Sequence, residues 1–332
     1  MTYQNHYLFY GVILRFETAW REIAELIQKD FQAFSVGSQN ASITIKVLKQ
    51  KPVYTHLKWK WNFNRLKTCD QDFVRYNLYE EQALSRYDFS LESGEITTEN
   101  LSLAHEIAYL MALSRTGKKM ELAGFHKIHA MSFAYRSKAV VLSMESGEGK
   151  STLLLEILKN PSLQFLSDDC PVVTKKGTIA SFPIRLGLSE KTLEEAQLYP
   201  ENLRYSLSRR KYGLKELLCA EAFPHAKPGF EYDRIVLIFG HKGKTNEPKL
   251  ESISSFRAYY LLLRPFLIGV GLPIILEYFW ESGIRDFFTK TKIAISRMVT
   301  AFRLVQKSEV YELELSCDLK KDAQLIKSLS EA

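Results

Sequence analysis

The sequence predicts an α/β fold with a β-rich N-terminal portion and a more helical C-terminal part. The first hundred residues contain alternating and aromatic-rich strand patterns, such as 42–48 and 73–79. Near the middle of the chain, an apolar run enters a glycine-containing turn and a periodic apolar segment follows, in the order strand, loop, helix. After a polar loop at 242–249, helical patterns dominate as far as about Leu304. We therefore expect residues 1–100 to pack on a second domain at 101–332.

The loop between that central strand and helix approximates the phosphate-binding pattern G-x-x-x-x-G-K-[ST]. Backbone N–H groups at the start of the helix can point at an anion, Lys150 adds a positive charge, and the hydroxyl of Ser151 can bind Mg²⁺. Met144 stands where the first glycine of the pattern belongs. A tight strand-to-helix connection is the alternative interpretation. The predicted nucleotide-binding residues are Ser146, Gly147, Glu148, Gly149, Lys150, Ser151 and Thr152.

Composition narrows the class of protein. The 332 residues contain 45 Lys and Arg against 38 Asp and Glu, a net charge of +7, which favours anionic partners such as nucleotide phosphates or an acidic peptide without indicating nucleic acid. The four cysteines form no C-x-x-C pair, and the N-terminus lacks the pattern of a secretion signal. These features predict reduced thiols in a cytoplasmic protein.

One apolar stretch, 259–280, raises the question of a membrane. Its uninterrupted part runs only from Phe266 to Leu276, well short of the roughly 20 residues that a spanning helix needs. We expect a buried core segment and no membrane partner.

The N-terminal elements follow from periodicity. The pattern predicts a strand at 8–16, a helix at 20–31 and a further strand at 54–63. Aromatic and basic residues alternate in the last of these, which favours a two-faced strand over a base-stacking surface. Asn100 or Ser102 could cap a helix at 103–115 that Gly117 would end.

The central region contains the residues that most suggest chemistry. A strand at 125–135 would include His129, and a strand within 163–173 would carry Asp168 and Asp169 at its C-terminal end. Adjacent strand residues point to opposite faces, so these two carboxylates would have different tasks unless the chain turns there. The pair begins eighteen residues after Lys150, at the end of an apolar strand. Asp168 and Asp169 are therefore candidates for metal binding and acid/base chemistry.

The remaining elements are predicted more coarsely. A segment at 179–188 precedes a helix from Ser189, and 204–215 is the most basic short region of the chain. Arg209 and Arg210 in that region are candidates for binding phosphate or an acidic peptide, with a solvated face as the alternative. A buried strand at 234–240, a late strand at 309–315 and a C-terminal helix complete the prediction.

Taken together, 128–130, 146–152 and 166–169 resemble the catalytic half of the HPr kinase/phosphorylase-like family. In that family a histidine precedes the loop G-x-S-G-x-G-K-S, and a strand ending in Asp-Asp follows. Here the separation between His129 and Lys150 is 150 − 129 = 21 residues, as in the family pattern. The resemblance covers about 125–190.

The resemblance implies a P-loop kinase core related to HPr kinase and phosphoenolpyruvate carboxykinase, with ATP and Mg²⁺ as cofactors. It implies that Lys150 holds the β- and γ-phosphates and that Ser151 and Asp168 act at the metal. Asp169 would accept the proton of the acceptor hydroxyl, and His129 would lie beside the reacting phosphoryl group. Phosphoryl transfer needs such charge neutralisation and positioning in any case.

The sequence departs from the family at Met144 and at Pro183. Where the family has Glu-Ile-Arg-Gly, this chain keeps Arg185, a candidate for phosphate binding, but has proline in place of the acidic, metal-associated residue. The better comparison is with divergent stand-alone relatives, some of which resemble kinases that phosphorylate ribosomal precursor peptides such as lasso peptides.

The sequence leaves three functions open. The first is an ATP-dependent kinase that phosphorylates a serine of a peptide or small protein. The second is a kinase of a small-molecule alcohol, and the third is a nucleotide-binding regulator without catalysis. Homo-oligomerisation, phosphorolysis and pyrophosphate use also stay open. An ATP-binding-cassette motor is disfavoured, because no Leu-Ser-Gly-Gly-Gln string follows the loop.

Overall fold

The computed structural model describes residues 2–63, 66–145, 147–188, 199–209, 213–223, 225–263, 265–266, 281 and 284–331. Its architecture is mixed α/β, as predicted. The chain divides into two compact units. The first comprises Met1–Met120, Leu207–Lys215 and Pro273–Thr289, and the second comprises Glu121–Ser206, Glu216–Leu272 and Lys290–Ala332.

The first unit is built on one large sheet. The described strands have the order β3-β1-β2-β4-β9-β8-β7-β6-β5. Their bounds are β1 (Tyr3–Phe9), β2 (Val12–Thr18), β3 (Ser35–Val36), β4 (Ile43–Lys49), β5 (Trp61–Phe63), β6 (Leu66–Gln71), β7 (Val74–Tyr79), β8 (Ala83–Asp88) and β9 (Ser93–Thr98).

Three predictions for this sheet meet different outcomes. The strands at 42–48 and 73–79 are confirmed as β4 and β7. The single strand at 8–16 is wrong, because Tyr10 and Gly11 adopt positive φ and form a two-residue hairpin turn between β1 and β2. Of the predicted strand at 54–63, only β5 forms. The neighbouring Arg65 lies outside the described residues.

Two helices follow the predicted apolar stripes. Helix α1 (Arg21–Phe31) buries Ile23, Ile27 and Phe31, and α2 (Leu101–Leu122) begins where Asn100 Oδ1 accepts the N–H of Leu103 at 3.1 Å. The cap at Asn100 is thus confirmed. The predicted end at Gly117 is wrong, because the helix continues for one more turn through the buried Met120 and Glu121. Packing outweighs the roughly 1 kcal/mol that a helical glycine costs.

The second unit contains a six-stranded sheet of order β13-β11-β12-β20-β22-β21. Strands β12, β20 and β22 are parallel, whereas β11 and β21 are antiparallel to their neighbours. The bounds are β11 (Met131–Tyr135), β12 (Lys138–Ser143), β13 (Gln164–Ser167), β20 (Arg234–Lys242), β21 (Lys249–Ser252) and β22 (Ser308–Leu315). The predicted strands at 234–240 and 309–315 are confirmed.

Helices cover both faces of this sheet, which explains why β12 is apolar at every position after Lys138 up to Ser143. On one face, Val140 and Leu142 pack with α3 (Lys150–Leu158) and α6 (Leu319–Glu331). On the other face, Ala139 and Val141 pack with α4 (Ser255–Leu263) and α5 (Ile284–Gln306). The predicted loop helix and C-terminal helix are therefore confirmed.

Two small sheets complete the described strands. One has the order β10-β14-β15-β19 and the other β16-β18-β17. Their bounds are β10 (Phe125–Lys127), β14 (Val172–Thr174), β15 (Ile179–Ala180), β16 (Leu186–Leu188), β17 (Arg204–Arg209), β18 (Gly213–Leu218) and β19 (Glu231–Tyr232). The helix predicted from Ser189 falls on 189–198, which lie outside the described residues.

The four cysteines form no disulfide, and Cys317 is exposed whereas the other three are buried. Within the described ranges, no helix combines the length and the apolar composition that crossing a bilayer requires.

Candidate functional site

Three chain segments meet at one edge of the six-stranded sheet. Strands β12 and β13 both pair antiparallel with β11, so they run in the same direction and end at the same edge. Strand β11 begins at that edge. His129 lies just before β11, Lys150 follows β12, and Asp168 and Asp169 follow β13, so residues 40 positions apart come together.

His129 does not lie on a strand. The predicted strand at 125–135 is wrong, because the chain leaves β10 after Lys127 and enters β11, in a different sheet, at Met131. The short connection between these strands holds His129. Its backbone carbonyl accepts a hydrogen bond from the hydroxyl of Ser143, the last residue of β12, at 3.5 Å.

The loop between β12 and α3 explains the missing glycine. Gly147 and Gly149 have φ of 88° and 95°, a left-handed conformation that favours glycine. The backbone of Met144 is not left-handed, and its side chain is 4% exposed in the sheet core. A Cβ placed on Gly240 would lie 2.9 Å from Met144 Cγ. Position 144 is therefore a core position that fits methionine opposite a glycine.

Lys150 opens helix α3 and turns its side chain toward His129. The ammonium Nζ lies 2.9 Å from His129 Nε2 and 3.3 Å from Asp169 Oδ1. Because an ammonium only donates, Nε2 accepts and the ring proton is assigned to Nδ1. That nitrogen lies 3.1 Å from Asp169 Oδ1. Lys150, His129 and Asp169 thus form a closed triangle of contacts.

Asp169 is the exposed carboxylate of the adjacent pair, with 63% of its side-chain surface accessible. Partial desolvation by itself would raise its pKa. The hydrogen bond from His129 and the charge of Lys150 outweigh that effect and hold the pKa of Asp169 below its ordinary value. Asp169 is therefore ionised at any pH near neutrality.

Asp168 has the opposite environment. It is 5% exposed, its Oδ2 accepts the hydroxyl of Ser151 at 2.9 Å, and the backbone N–H of Gly187 faces the carboxylate. Within the described part of the chain, Oδ1 has no hydrogen-bond partner. Burial, and then the charge of Asp169, raise the pKa of Asp168 to about 6.

A chain reversal after β13 separates the two carboxylates. The backbone N–H of Cys170 donates to the hydroxyl of Ser167 at 3.1 Å, which closes a tight turn around the Asp pair. The strand that the sequence predicts to end at the Asp pair is confirmed as β13, which ends at Ser167, and the chain turns at the pair before β14 begins at Val172. The turn directs one carboxylate to Ser151 and the other to His129 and Lys150.

Arg185 lies on a segment that runs beside the end of β13. The N–H of Phe182 donates to the carbonyl of Leu166 at 2.9 Å, and Gly187 faces Asp168, so Arg185 lies between two attachments to that strand. Its side chain is 5% exposed, and Nη1 lies 3.4 Å from the hydroxyl of Tyr205. No motif in the sequence indicated Tyr205 or Gly187.

The other predicted site residues that lie in the described ranges make no contact with Lys150, His129 or the Asp pair among the hydrogen bonds and ion pairs given above. Gly147 is exposed, and Glu148 and Thr152 are partly exposed. The Glu148 carboxylate accepts the N–H of Glu145 at 3.3 Å, within the loop itself. Arg209 ends β17. Ser146 and Arg210 lie outside the described residues.

No protein-family model matches this chain, and no curated protein matches it significantly.

Proposed function

We propose that this protein is an ATP-dependent kinase that transfers the γ-phosphoryl group to a hydroxyl, with a serine of a peptide or small protein as the preferred acceptor. The observation that supports it best is the convergence of Lys150, His129 and the Asp168–Asp169 pair at one sheet edge. Phosphoryl transfer needs a cation for the phosphates, a metal ligand and a carboxylate for the acceptor, and these residues supply all three.

The triphosphate would bind at the start of α3. The N-cap residue of this helix is Gly149, which has no side chain to cap it, so the first backbone N–H groups are available to an anion. Gly147 and Gly149 bring the backbone close without a Cβ. Lys150 would leave His129 and Asp169 and move to the phosphates, where its charge is better neutralised.

Mg²⁺ would take Ser151 and Asp168 from the protein. Both supply oxygen, which Mg²⁺ prefers, and Asp168 Oδ1 is a buried acceptor without a hydrogen-bond partner in the described chain. Within the part of the chain that the structure describes, no group of three or more His, Cys, Asp or Glu side chains is placed to hold a metal ion. Phosphate oxygens and water would therefore complete the shell, as is usual for Mg²⁺ at phosphates. The ion would neutralise charge on the phosphates.

Asp169 would orient the acceptor hydroxyl and take its proton. It is exposed and ionised, and His129 holds its carboxylate in place through Nδ1. Departure of Lys150 to the phosphates would remove one cation from Asp169 and make it more basic. Arg185, on the segment beside Asp168, would add positive charge near the transferred group.

This function accords with the resemblance to the HPr kinase/phosphorylase-like family, and we propose a P-loop kinase core of that type for the second unit. Met144 is compatible with it, because that position needs no left-handed backbone here.

The test is transfer of label from γ-labelled ATP to a panel of serine-containing peptides, mixed small proteins and small alcohols. Asp169→Asn is expected to lower transfer at least ~10²-fold, whereas Asp233→Asn, an exposed carboxylate elsewhere in the same unit, is expected to leave it unchanged. Equal labelling by the Asp169 variant and wild type would refute the role of the site. Labelling of alcohols alone would assign the small-molecule kinase instead.

A second candidate is a nucleotide-binding regulator without catalysis. Pro183 favours it, because proline is buried where the family has an acidic residue, which leaves fewer metal ligands. Thermal stabilisation by ATP with no hydrolysis or transfer would support the regulator over the kinase.

A further inference from the structure

The second unit contains another network of hydrogen-bonded side chains, which is centred on His126. It comprises Ser296, His126, Glu121 and Arg297, which we call the His126 cluster. Ser296 Oγ lies 2.9 Å from His126 Nε2, and His126 Nδ1 lies 2.6 Å from Glu121 Oε2. None of these residues belongs to the Lys150 site.

The turn between α2 and β10 fixes the acidic end of the cluster. Gly124 has φ of 85°, and its N–H donates to the carbonyl of Glu121 at 3.1 Å, so the chain reverses within a few residues. This reversal places the side chain of Glu121 beside that of His126. The imidazole ring of His126 and the ring of Phe266 pack in a T-shaped arrangement, with the ring centres 6.2 Å apart.

Glu121 is ionised although it is buried. Burial opposes ionisation, but the charge of Arg297 and the hydrogen bond from His126 outweigh burial and lower its pKa. Arg297 Nε donates to Oε2 at 2.9 Å, and the backbone N–H of Lys127 donates to Oε1 at 3.3 Å. An ionised carboxylate only accepts, so His126 Nδ1 holds the proton that faces Glu121.

That assignment fixes the direction of the remaining hydrogen bond. When the ring is neutral and carries its proton on Nδ1, Nε2 presents a lone pair, and the Ser296 hydroxyl then donates to it. The lone pairs of Ser296 Oγ then face away from the ring. A hydroxyl donating to an imidazole that a carboxylate orients is the arrangement that activates serine as a nucleophile.

Exposure agrees with access to the serine. His126 and Glu121 are buried, whereas Ser296 is partly exposed on α5. Ile295, next to it, and Val299, one helical turn away, are 52% and 44% exposed. A reagent that reaches Ser296 therefore meets an apolar surface.

We propose that Ser296, His126 and Glu121 form a second reactive site, in which Ser296 accepts the acyl group of esters with a short apolar acyl chain. Ser296 Oγ attacks the carbonyl carbon while its proton passes to His126 Nε2. The bond from that carbon to the alcohol oxygen breaks, and the departing alcohol takes the proton. Water, deprotonated by His126, then attacks the acyl-serine, so that a carboxylic acid is released and Ser296 is restored. Glu121 stabilises the transient imidazolium.

The test uses the full chain without nucleotide and a fluorescent fluorophosphonate, which modifies activated serines and releases fluoride. Peptide mapping is expected to place the label on Ser296. Ser296→Ala should abolish it, and His126→Gln should slow it at least tenfold. Ser308→Ala is the matched control, because Ser308 is also partly exposed but donates to the Leu304 carbonyl at 2.7 Å. No label on Ser296 in the wild type, or an unchanged rate in His126→Gln, would overturn the proposal.

If His126→Gln does not fold, cysteine variants replace it. Ser296→Cys should react with iodoacetamide at least tenfold faster than Ser308→Cys, and equal rates would overturn the proposal. Release of nitrophenol from nitrophenyl hexanoate faster than from nitrophenyl acetate would support the apolar acyl preference. A slower release from the hexanoate would contradict it. No readout involves ATP, so the result is independent of the proposed kinase.

Discussion

Each unit of this protein contains a compact group of positively and negatively charged side chains. The two groups differ in how completely their charged atoms are paired. In the first unit, buried Arg115 binds Glu92 at 2.7 Å and Glu281 at 2.9 Å, and Lys118 binds Glu281 at 2.5 Å and Asp286 at 2.7 Å. In the second, Lys150 faces a histidine and one carboxylate, while Asp168 keeps an oxygen without a hydrogen bond in the described chain.

The difference separates a stabilising network from a candidate reactive site. The pKa of Glu92 is lowered, because the hydrogen bonds and charge of Arg115 outweigh burial. The pKa of Asp168 is raised, because burial and a neighbouring carboxylate dominate there. A buried charge without a partner destabilises the folded protein, and groups with such perturbed pKa values are found most often at functional sites.

The largest expected effect is in the matched network. Arg115→Met should lower the free energy of unfolding by about 3–5 kcal/mol, because it leaves Glu92 without its bidentate partner. Urea unfolding measures the loss. Arg21→Met, which breaks an exposed pair with Glu25, is the control and should not change stability measurably. Similar losses in both variants would mean that the network is not stabilising.

Next is the Lys150 site. If the proposed mechanism holds, Lys150→Ala should lower phosphoryl transfer by ~10²–10³-fold, because the proposed phosphate loop would lose its lysine, while urea unfolding shows little loss of stability. Exposed Lys242→Ala is the control for general loss of charge. A variant that keeps half of the wild-type rate would remove Lys150 from the proposed mechanism.

A smaller effect is expected from Asp168, and it depends on pH. Because the folded-state pKa of Asp168 is raised to about 6, its favourable contribution is present at low pH and is lost as pH rises through that value. Asp168→Asn should therefore be more stable than the wild type by about 3 kcal/mol at pH 8 and equal to it below about pH 3. Unfolding midpoints across this range measure the difference, and a constant difference would contradict the assignment.

The smallest effect concerns the loop backbone. Gly147→Ala should cost about 1 kcal/mol of stability, since φ of 88° is unfavourable for alanine although no atom lies within 4 Å of the added methyl group. Gly37→Ala, which also meets open space but has no positive φ, should be neutral. Equal melting temperatures for the two variants would argue against a left-handed loop.

Local features of this chain could be predicted, whereas long-range ones could not. Strand β12, its loop and α3 are contiguous, so hydrophobic period and glycine placement were sufficient. The partition of 125–135 between two sheets was missed, because this segment contains no glycine or proline that would mark a break, and a change of partner strand leaves no local signal. The pairing of Arg115 with Glu281 joins residues 166 positions apart, and no pattern relates them.

The antiparallel position of β11 between β12 and β13 also has a practical consequence. The β11–β12 turn at Arg136 and Ser137 lies at the far end of these strands from His129 and Lys150, a strand length of about 15–20 Å away. A short affinity tag or a fluorophore attachment point inserted in this turn would leave the edge with His129 and Lys150 clear, so the protein could be immobilised or observed while candidate ligands are added.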